Sequence, residues 1–199
     1  MPPIVDADAL VVLGGYMSCQ DDAEAPWLAP TRQLISRTVR AGTPFLGICL
    51  GHQLATVALG GQVCTSDHFC LGAAEMHLTP EGKKDPLLSV YDGHRGIHFN
   101  NDVAVVLPED AVLLARDPTG QIEAVRFAER AWGVQFHPEC TPEIFDAWTI
   151  GHGEKEWQQR LPWSEAVTVA ETVRRDIDTV NAEEAFAARF QELIDPEKR

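Results

Sequence analysis

Phe45-Leu46-Gly47-Ile48-Cys49-Leu50-Gly51-His52-Gln53-Leu54 is the stretch on which the reading of this chain turns. The apolar run at 44–48 has the length and composition of a buried strand. Leu54, Val57 and Ala58 then recur at helical spacing until Gly60-Gly61 ends the helix. Cys49 therefore falls at a strand-to-helix turn. Gly47 and Gly51 flank it, two residues away on either side, where side chains in so tight a turn would strike neighbouring backbone. This is the layout of a nucleophile elbow, with sulfur in place of a serine oxygen. The free N–H groups and partial positive charge of a helix N-terminus favour the nucleophilic thiolate there. An isolated cysteine is more often a buried structural residue. The paired glycines and the strand-to-helix switch reverse that preference at Cys49.

Upstream, Ala9-Leu10-Val11-Val12-Leu13 is a fully apolar strand candidate that runs into Gly14-Gly15-Tyr16-Met17-Ser18. Two glycines at the end of a strand let N–H groups point into a cleft, with a plain turn as the equal alternative. The spacing predicts a helix over 30–41, with Leu34, Ile35 and Val39 on its apolar side and Gly42 and Pro44 closing it. Strand, helix, strand, helix in this order predicts a parallel sheet covered by helices.

Downstream the pattern weakens from Gly61 to Pro80, where Val63 and residues 73–78 are candidates for short strands. Residues 103–107, 111–115 and 122–127 read as strands joined in antiparallel hairpins, with turns at Pro108-Glu109-Asp110 and Asp117-Pro118-Thr119-Gly120. A strand at 132–136 delivers His137-Pro138-Glu139. Thr141-Pro142-Glu143 opens a helix carrying Ile144, Phe145 and Trp148, which Gly151-His152-Gly153 is expected to break. The rest reads as helical. Ala166, Ala170, Val173, Ile177 and Val180 form a stripe, and Asn181 with Glu184 resembles a capping box before Phe186, Phe190 and Leu193. The expected organisation is a domain at 1–150 and a helical tail at 151–199 that packs on it or serves a homodimer contact.

The length of 199 residues suits one domain with a substantial core. Lys plus Arg number 16 against 30 Asp plus Glu, a net charge of -14, which argues against a nucleic-acid partner. No apolar run is long enough to span a bilayer, and Met-Pro-Pro-Ile-Val-Asp lacks the features of a signal peptide. A cytoplasmic setting and no membrane contact are expected. The odd count of five cysteines, with no C-x-x-C pair, points to a reducing compartment without a structural zinc. His94 and His98 have the spacing of a metal pair on a helix, but Gly93 and Gly96 argue against a helix there, so no metal site is expected.

A thiolate needs a base to keep it deprotonated and to move protons. His137 is the candidate, just past a strand end where chemistry is commonly carried. Glu139 is two residues on, and residues i and i+2 of an extended segment share a side. Pro138 favours that extended form. Glu139 then orients the imidazole from behind, as the third member of a triad. A His-x-Glu pair alone is weak evidence, and its value comes from coexisting with Cys49 and the Gly-Gly loop.

Leu13-Gly14-Gly15, Gly47-Ile48-Cys49-Leu50-Gly51-His52-Gln53 and Gly133-Val134-Gln135-Phe136-His137-Pro138-Glu139, in that order, resemble the class I glutamine amidotransferases, above all free-standing members of GMP-synthase-like type. The similarity covers about residues 9–148. It implies a triad of Cys49, His137 and Glu139 that hydrolyses the side-chain amide of glutamine through a Cys thioester to glutamate and ammonia. It implies an oxyanion hole from backbone N–H groups of Gly15, Tyr16 and Leu50, and substrate contacts at Gln53, Asn100 and Asp102. It implies no cofactor. The implied fold is a three-layer α/β/α arrangement around an open, mostly parallel, flavodoxin-like sheet with an antiparallel extension. Family members usually place a strand, helix and strand before the Gly-Gly strand. Here eight residues precede Ala9, so either the start lies inside a longer reading frame, or that part of the sheet is missing and a strand edge is open. No ATP-binding or acceptor domain fits this length. The expected partners are glutamine as substrate and a separate ammonia-accepting synthetase. Two alternatives stay open: a hydrolase of other gamma-glutamyl amides or peptides with the same triad, and a catalytically silent interaction module.

Overall fold

The computed structural model describes residues 7–149, 163–176 and 182–195. The expected break at Gly151-His152-Gly153, and Ile177, Val180 and Asn181 of the tail, lie outside the described residues. In chain order the elements are β1 (Leu10–Val12), α1 (Leu28–Arg40), β2 (Phe45–Ile48), α2 (Leu50–Ala58), β3 (Gln62–Glu75) and β4 (His77–Leu78). After two 3-10 turns (Gly82–Lys84 and Leu88–Tyr91) come β5 (Arg95–Val106), β6 (Val112–Arg116), β7 (Ile122–Ala128), β8 (Ala131–Val134), α3 (Pro142–Thr149), α4 (Trp163–Asp176) and α5 (Glu183–Ile194).

The main sheet has the order β1-β2-β8-β7-β6-β4. Strands β1, β2 and β8 are parallel, and β7, β6 and β4 extend the sheet antiparallel. Alternation along β2 builds both layers. Phe45 faces α1 and α2, where Leu28, Ile35 and Leu54 are fully buried, while Leu46 and Ile48 face the 3-10 turns and α5. Each such side chain contributes about 1.5–3 kcal/mol by leaving water. On the α5 side, Asp85 accepts hydrogen bonds from the Leu87 and Leu88 N–H groups and from the Trp132 indole, which fixes the turns against the sheet. This is the expected α/β class, with the antiparallel extension in place.

The region 61–106 differs from the sequence expectation. Residues 62–75 form one strand of 14 residues, not two short ones, and it pairs antiparallel with β5 as a separate two-stranded ribbon. The strand expected at 103–107 is thus the end of β5, and Pro108-Glu109-Asp110 leads from the ribbon into the main sheet instead of closing a hairpin. The ribbon is irregular between Thr65 and Cys70. It lays Val63 and Ala104 on the α1/α2 side and Ile97 against Phe145 of α3 and Val173 of α4. That change of face along one strand pair is why no simple alternation marked it. The tail helices place Ala170 and Val173 in the latter cluster and Phe186 and Phe190 on the opposite face of the main sheet.

Among the described residues β1 is the outermost strand of its sheet, with Val11 45% and Leu13 56% exposed. No described helix is long and apolar enough to cross a membrane.

Candidate active site

The parallel strands β1, β2 and β8 end side by side, in the register Val12–Gly47–Gly133. Their C-terminal ends deliver the oxyanion loop candidate 14–18, Cys49 and the 135–139 segment to one place, as open parallel sheets do with ligand sites. Cys49 has φ 50° and ψ -107°, the one positive φ at a non-glycine among the described residues. Such backbone stores strain and survives where packing dictates it. The dictating contacts are backbone. A Cβ on Gly47 would stand 2.6 Å from the carbonyl carbon and oxygen of Gly51, and one on Gly51 only 2.0 Å from the Val12 oxygen. The Cys49 N–H is also fixed, donating to the Val134 oxygen at 2.8 Å.

Segment 135–137 is suspended between two strands. Gln135 N–H donates to Glu123 O of β7, and His137 N–H donates to Ile97 O of β5, each at 2.8 Å. His137 Nδ1 meets Glu139 Oε1 at 2.8 Å, which leaves Nε2 for the Cys49 sulfur. The imidazole is 5% exposed. Burial opposes its charge, but hydrogen bonds to Cys49 and Glu139, and their charges, outweigh that and raise its pKa to about 10. Near neutral pH the ring is therefore an imidazolium beside the sulfur. Trp148 of α3 packs on it with ring centroids 4.5 Å apart, and Trp148 also meets Phe99 edge-on.

Next to Cys49 lies a cavity of about 250 Å³ lined by Gly15, Tyr16, Met17, Ser18, Gln53, Thr65 and residues 99–102. Gln53, one turn along α2 from the sulfur, donates its amide to the Asp102 backbone oxygen at 2.9 Å. Asn100 does the same at 3.3 Å, while its own Oδ1 is buried with no partner among the described residues. Leu50 opens α2, so its N–H belongs to the unpaired first turn. Among the described residues no acceptor takes the N–H groups of Gly15, Tyr16 or Met17. All nine site residues expected from the sequence are thus gathered around one cavity or its sulfur.

Residues 3–151 match the family model described as glutamine amidotransferase class-I. The chain belongs to this family. It is 32% identical over 161 residues to the glutamine amidotransferase-like protein YfeJ of Salmonella typhimurium, covering 78% of this chain and 66% of that protein. It is 29% identical over 139 residues to a glutamine-hydrolyzing GMP synthase subunit of Methanothermobacter thermautotrophicus, covering 67% of this chain and 66% of that one. Both matches stop just short of two thirds of the relative's length. Among solved structures, a glutamine amidotransferase from Methylobacillus flagellatus superposes with a TM-score of 0.81 at 25% identity, over 98% of this chain and 80% of that one.

Three features of this class-I amidotransferase were not read from the sequence. Trp148 covers the imidazole. Ser18 and Thr65 both donate hydroxyl hydrogen bonds to the Asp102 carboxylate, at 2.6 and 2.8 Å. His98 Nε2 meets Glu123 Oε2 at 2.6 Å in a buried pair between the two strands that suspend 135–137. The pKa of His98 is raised: burial lowers it, but the Glu123 charge and hydrogen bond prevail. Sequence spacing offers His98 only a metal pairing with His94 that Gly93 and Gly96 argue against, and no local signal links it to a carboxylate 25 residues away.

Proposed function

We propose that this chain hydrolyses the side-chain amide of glutamine through a thioester on Cys49. The observation that carries the reading is the convergence of Cys49, His137 and Glu139 beside the cavity lined by Gln53, Asn100 and Asp102. The amino acid end of glutamine lies against those three residues, with the unpaired Asn100 Oδ1 accepting from its ammonium group. Cys49 Sγ bonds to the amide carbon, and the carbonyl π pair moves onto oxygen. N–H groups of Leu50 and of the Gly15-Tyr16 loop hold that oxyanion. As the intermediate collapses the C–N bond breaks, and nitrogen leaves as ammonia with the proton of His137. Water then adds to the thioester carbon and gives a proton to His137. The C–S bond breaks and releases glutamate.

Kinship with a protein named as one subunit of a GMP synthase supports a division of labour in which a separate synthetase accepts the ammonia. The five cysteines are free, which fits a reducing, cytoplasmic setting. The test is release of glutamate and ammonia from glutamine by the full chain, alone and with candidate synthetases. Turnover is expected, and Cys49→Ser should lower it by more than about 10³-fold. A folded protein with no turnover in any of these mixtures overturns the reading.

A further inference from the structure

The Gly14–Ser18 loop reaches the cavity with two glycines and with Gly15, Tyr16 and Met17 N–H groups that no acceptor among the described residues takes. Glycine pairs leave peptide orientation soft. Where these N–H groups point is therefore set by the anchors at the two ends of the loop. At the front, β1 is fixed to β2. At the back, Ser18 Oγ donates to Asp102 Oδ2 at 2.6 Å, a length typical of a hydroxyl on a carboxylate. The other carboxylate oxygen takes Thr65 Oγ1 of β3 at 2.8 Å, so Asp102 is itself held from the far side. Its backbone oxygen takes the Gln53 amide. The loop, the helix behind the sulfur and the ribbon thus meet on one residue.

We propose that Asp102, acting through Ser18, is a positioning residue that holds the Gly15 and Tyr16 N–H groups in the orientation that receives the oxyanion. This rests on the glutaminase reading and adds a role that a substrate contact does not require: Asp102 controls the transition state through a residue that touches neither sulfur nor imidazole. The two anchors differ in kind. The β1 anchor is a strand ladder. The Ser18 link to Asp102 is one hydroxyl, and Ser18 N–H, which donates to Asp21 Oδ2 at 2.7 Å, keeps the 18–21 turn when that hydroxyl is lost, so its loss loosens the loop without unfolding the sheet.

The experiment compares wild type with Ser18→Ala, Ser18→Thr and Thr65→Val in the full chain. Three readouts are taken: glutamine kinetics, the affinity of a glutamate γ-semialdehyde analogue, and the rate of Cys49 alkylation by iodoacetamide. The aldehyde adds to sulfur and places its oxygen in the hole, whereas alkylation makes no use of the hole. Ser18→Ala should lower kcat roughly 10- to 100-fold with KM within about threefold, since a single oxyanion donor is worth on the order of 10²–10³. Aldehyde affinity should fall by a similar factor and the alkylation rate should hold within about twofold. Ser18→Thr, which keeps the hydroxyl, should restore most of the loss, and Thr65→Val should show a smaller loss of the same pattern. An unchanged kcat and aldehyde affinity in Ser18→Ala overturns the proposal. So does a fall in alkylation equal to the fall in kcat, which would place the damage at the sulfur. If wild type releases no ammonia, the glutaminase reading fails, yet the aldehyde and alkylation arms still read whether Ser18 holds the loop.

Discussion

The cavity has two facing walls, one carrying the sulfur and the other the Gly14–Ser18 loop, and they are held by different means. On the Cys49 side, backbone meets backbone: a Cβ on Gly51 would lie 2.0 Å from the Val12 oxygen. On the loop side, a Cβ on Gly15 would meet only the tips of Leu50 and Met17, at 2.8 and 2.9 Å, and Tyr16 is 84% exposed. Hard packing over-determines Cys49, while the Gly15 and Tyr16 N–H groups depend on a few polar links. The first arrangement tolerates no substitution and cannot be tuned. The second can be adjusted without cost to the fold.

The largest effect should come from Gly51→Ala. The backbone carbonyl it strikes belongs to the parallel ladder, so the cost is on the order of 4 kcal/mol and Tm should fall by roughly 10 °C or more. Gly15→Ala, whose backbone is not in the left-handed region, should change Tm by only a few degrees while lowering kcat. Equal thermal losses in the two variants, read by calorimetry, would erase the contrast between the walls.

Gly14→Ala sharpens it. A Cβ there would lie 2.8 Å from His137 Cε1, against a side chain that can yield. The protein should fold with Tm within a few degrees of wild type, but a displaced imidazole should lower kcat about 100-fold. A variant that is instead unstable would show that the loop is as rigid as the elbow.

His52 gives the rigid wall a pH limit. It is fully buried behind the elbow, stacked on Phe127, with neither ring nitrogen partnered among the described residues. Burial lowers its pKa to about 4. The unfolded chain titrates near the ordinary value of about 6.5. The native state thus refuses a proton that the unfolded chain accepts. The stability is fully present above 6.5 and is lost as pH falls through about 4. Proton uptake by the unfolded chain costs about 2 kcal/mol at pH 5. His52→Met should therefore be near neutral in urea unfolding at pH 7 and stabilise by about that amount at pH 5. An unchanged pH dependence would mean that the ring finds a partner.

What the sequence made legible follows from how local each cause is. The elbow was readable because its strand, glycines and helix lie within ten residues and each enforces the same turn. Glu139 was readable because it is two residues from His137. The ribbon was not, because β3 faces different helices at its two ends and so shows no single alternation. The Ser18–Asp102 and Thr65–Asp102 links were not, because they join positions 84 and 37 residues apart through hydroxyls that carry no pattern. Trp148 appeared only as one apolar residue of α3, since helical spacing says which face is buried and not what it covers. The motif residues named from the sequence lie around the sulfur, while the residues that hold them needed the folded chain.

Glu139→Gln tests the imidazole, which stands between the two walls and belongs to neither. Its raised pKa rests on Cys49 and Glu139 against burial, and the neighbouring His98, when charged, opposes it. Removing the Glu139 charge weakens the support for the imidazolium, so the pKa must fall from about 10 toward the ordinary value. In the proposed mechanism departing ammonia takes the proton of His137, so activity should decline as pH rises through this pKa. In wild type that decline belongs near pH 10, and in Glu139→Gln it should move to lower pH. Because sulfur nucleophiles as a class depend less on their base than serine does, kcat at neutral pH should drop only about tenfold. A pH-rate profile of kcat separates this from mere loosening, which lowers the plateau and leaves the alkaline limb where it was. An unmoved limb would mean that Glu139 holds the ring in place without setting its charge. The imidazole would then be governed from the sulfur wall alone.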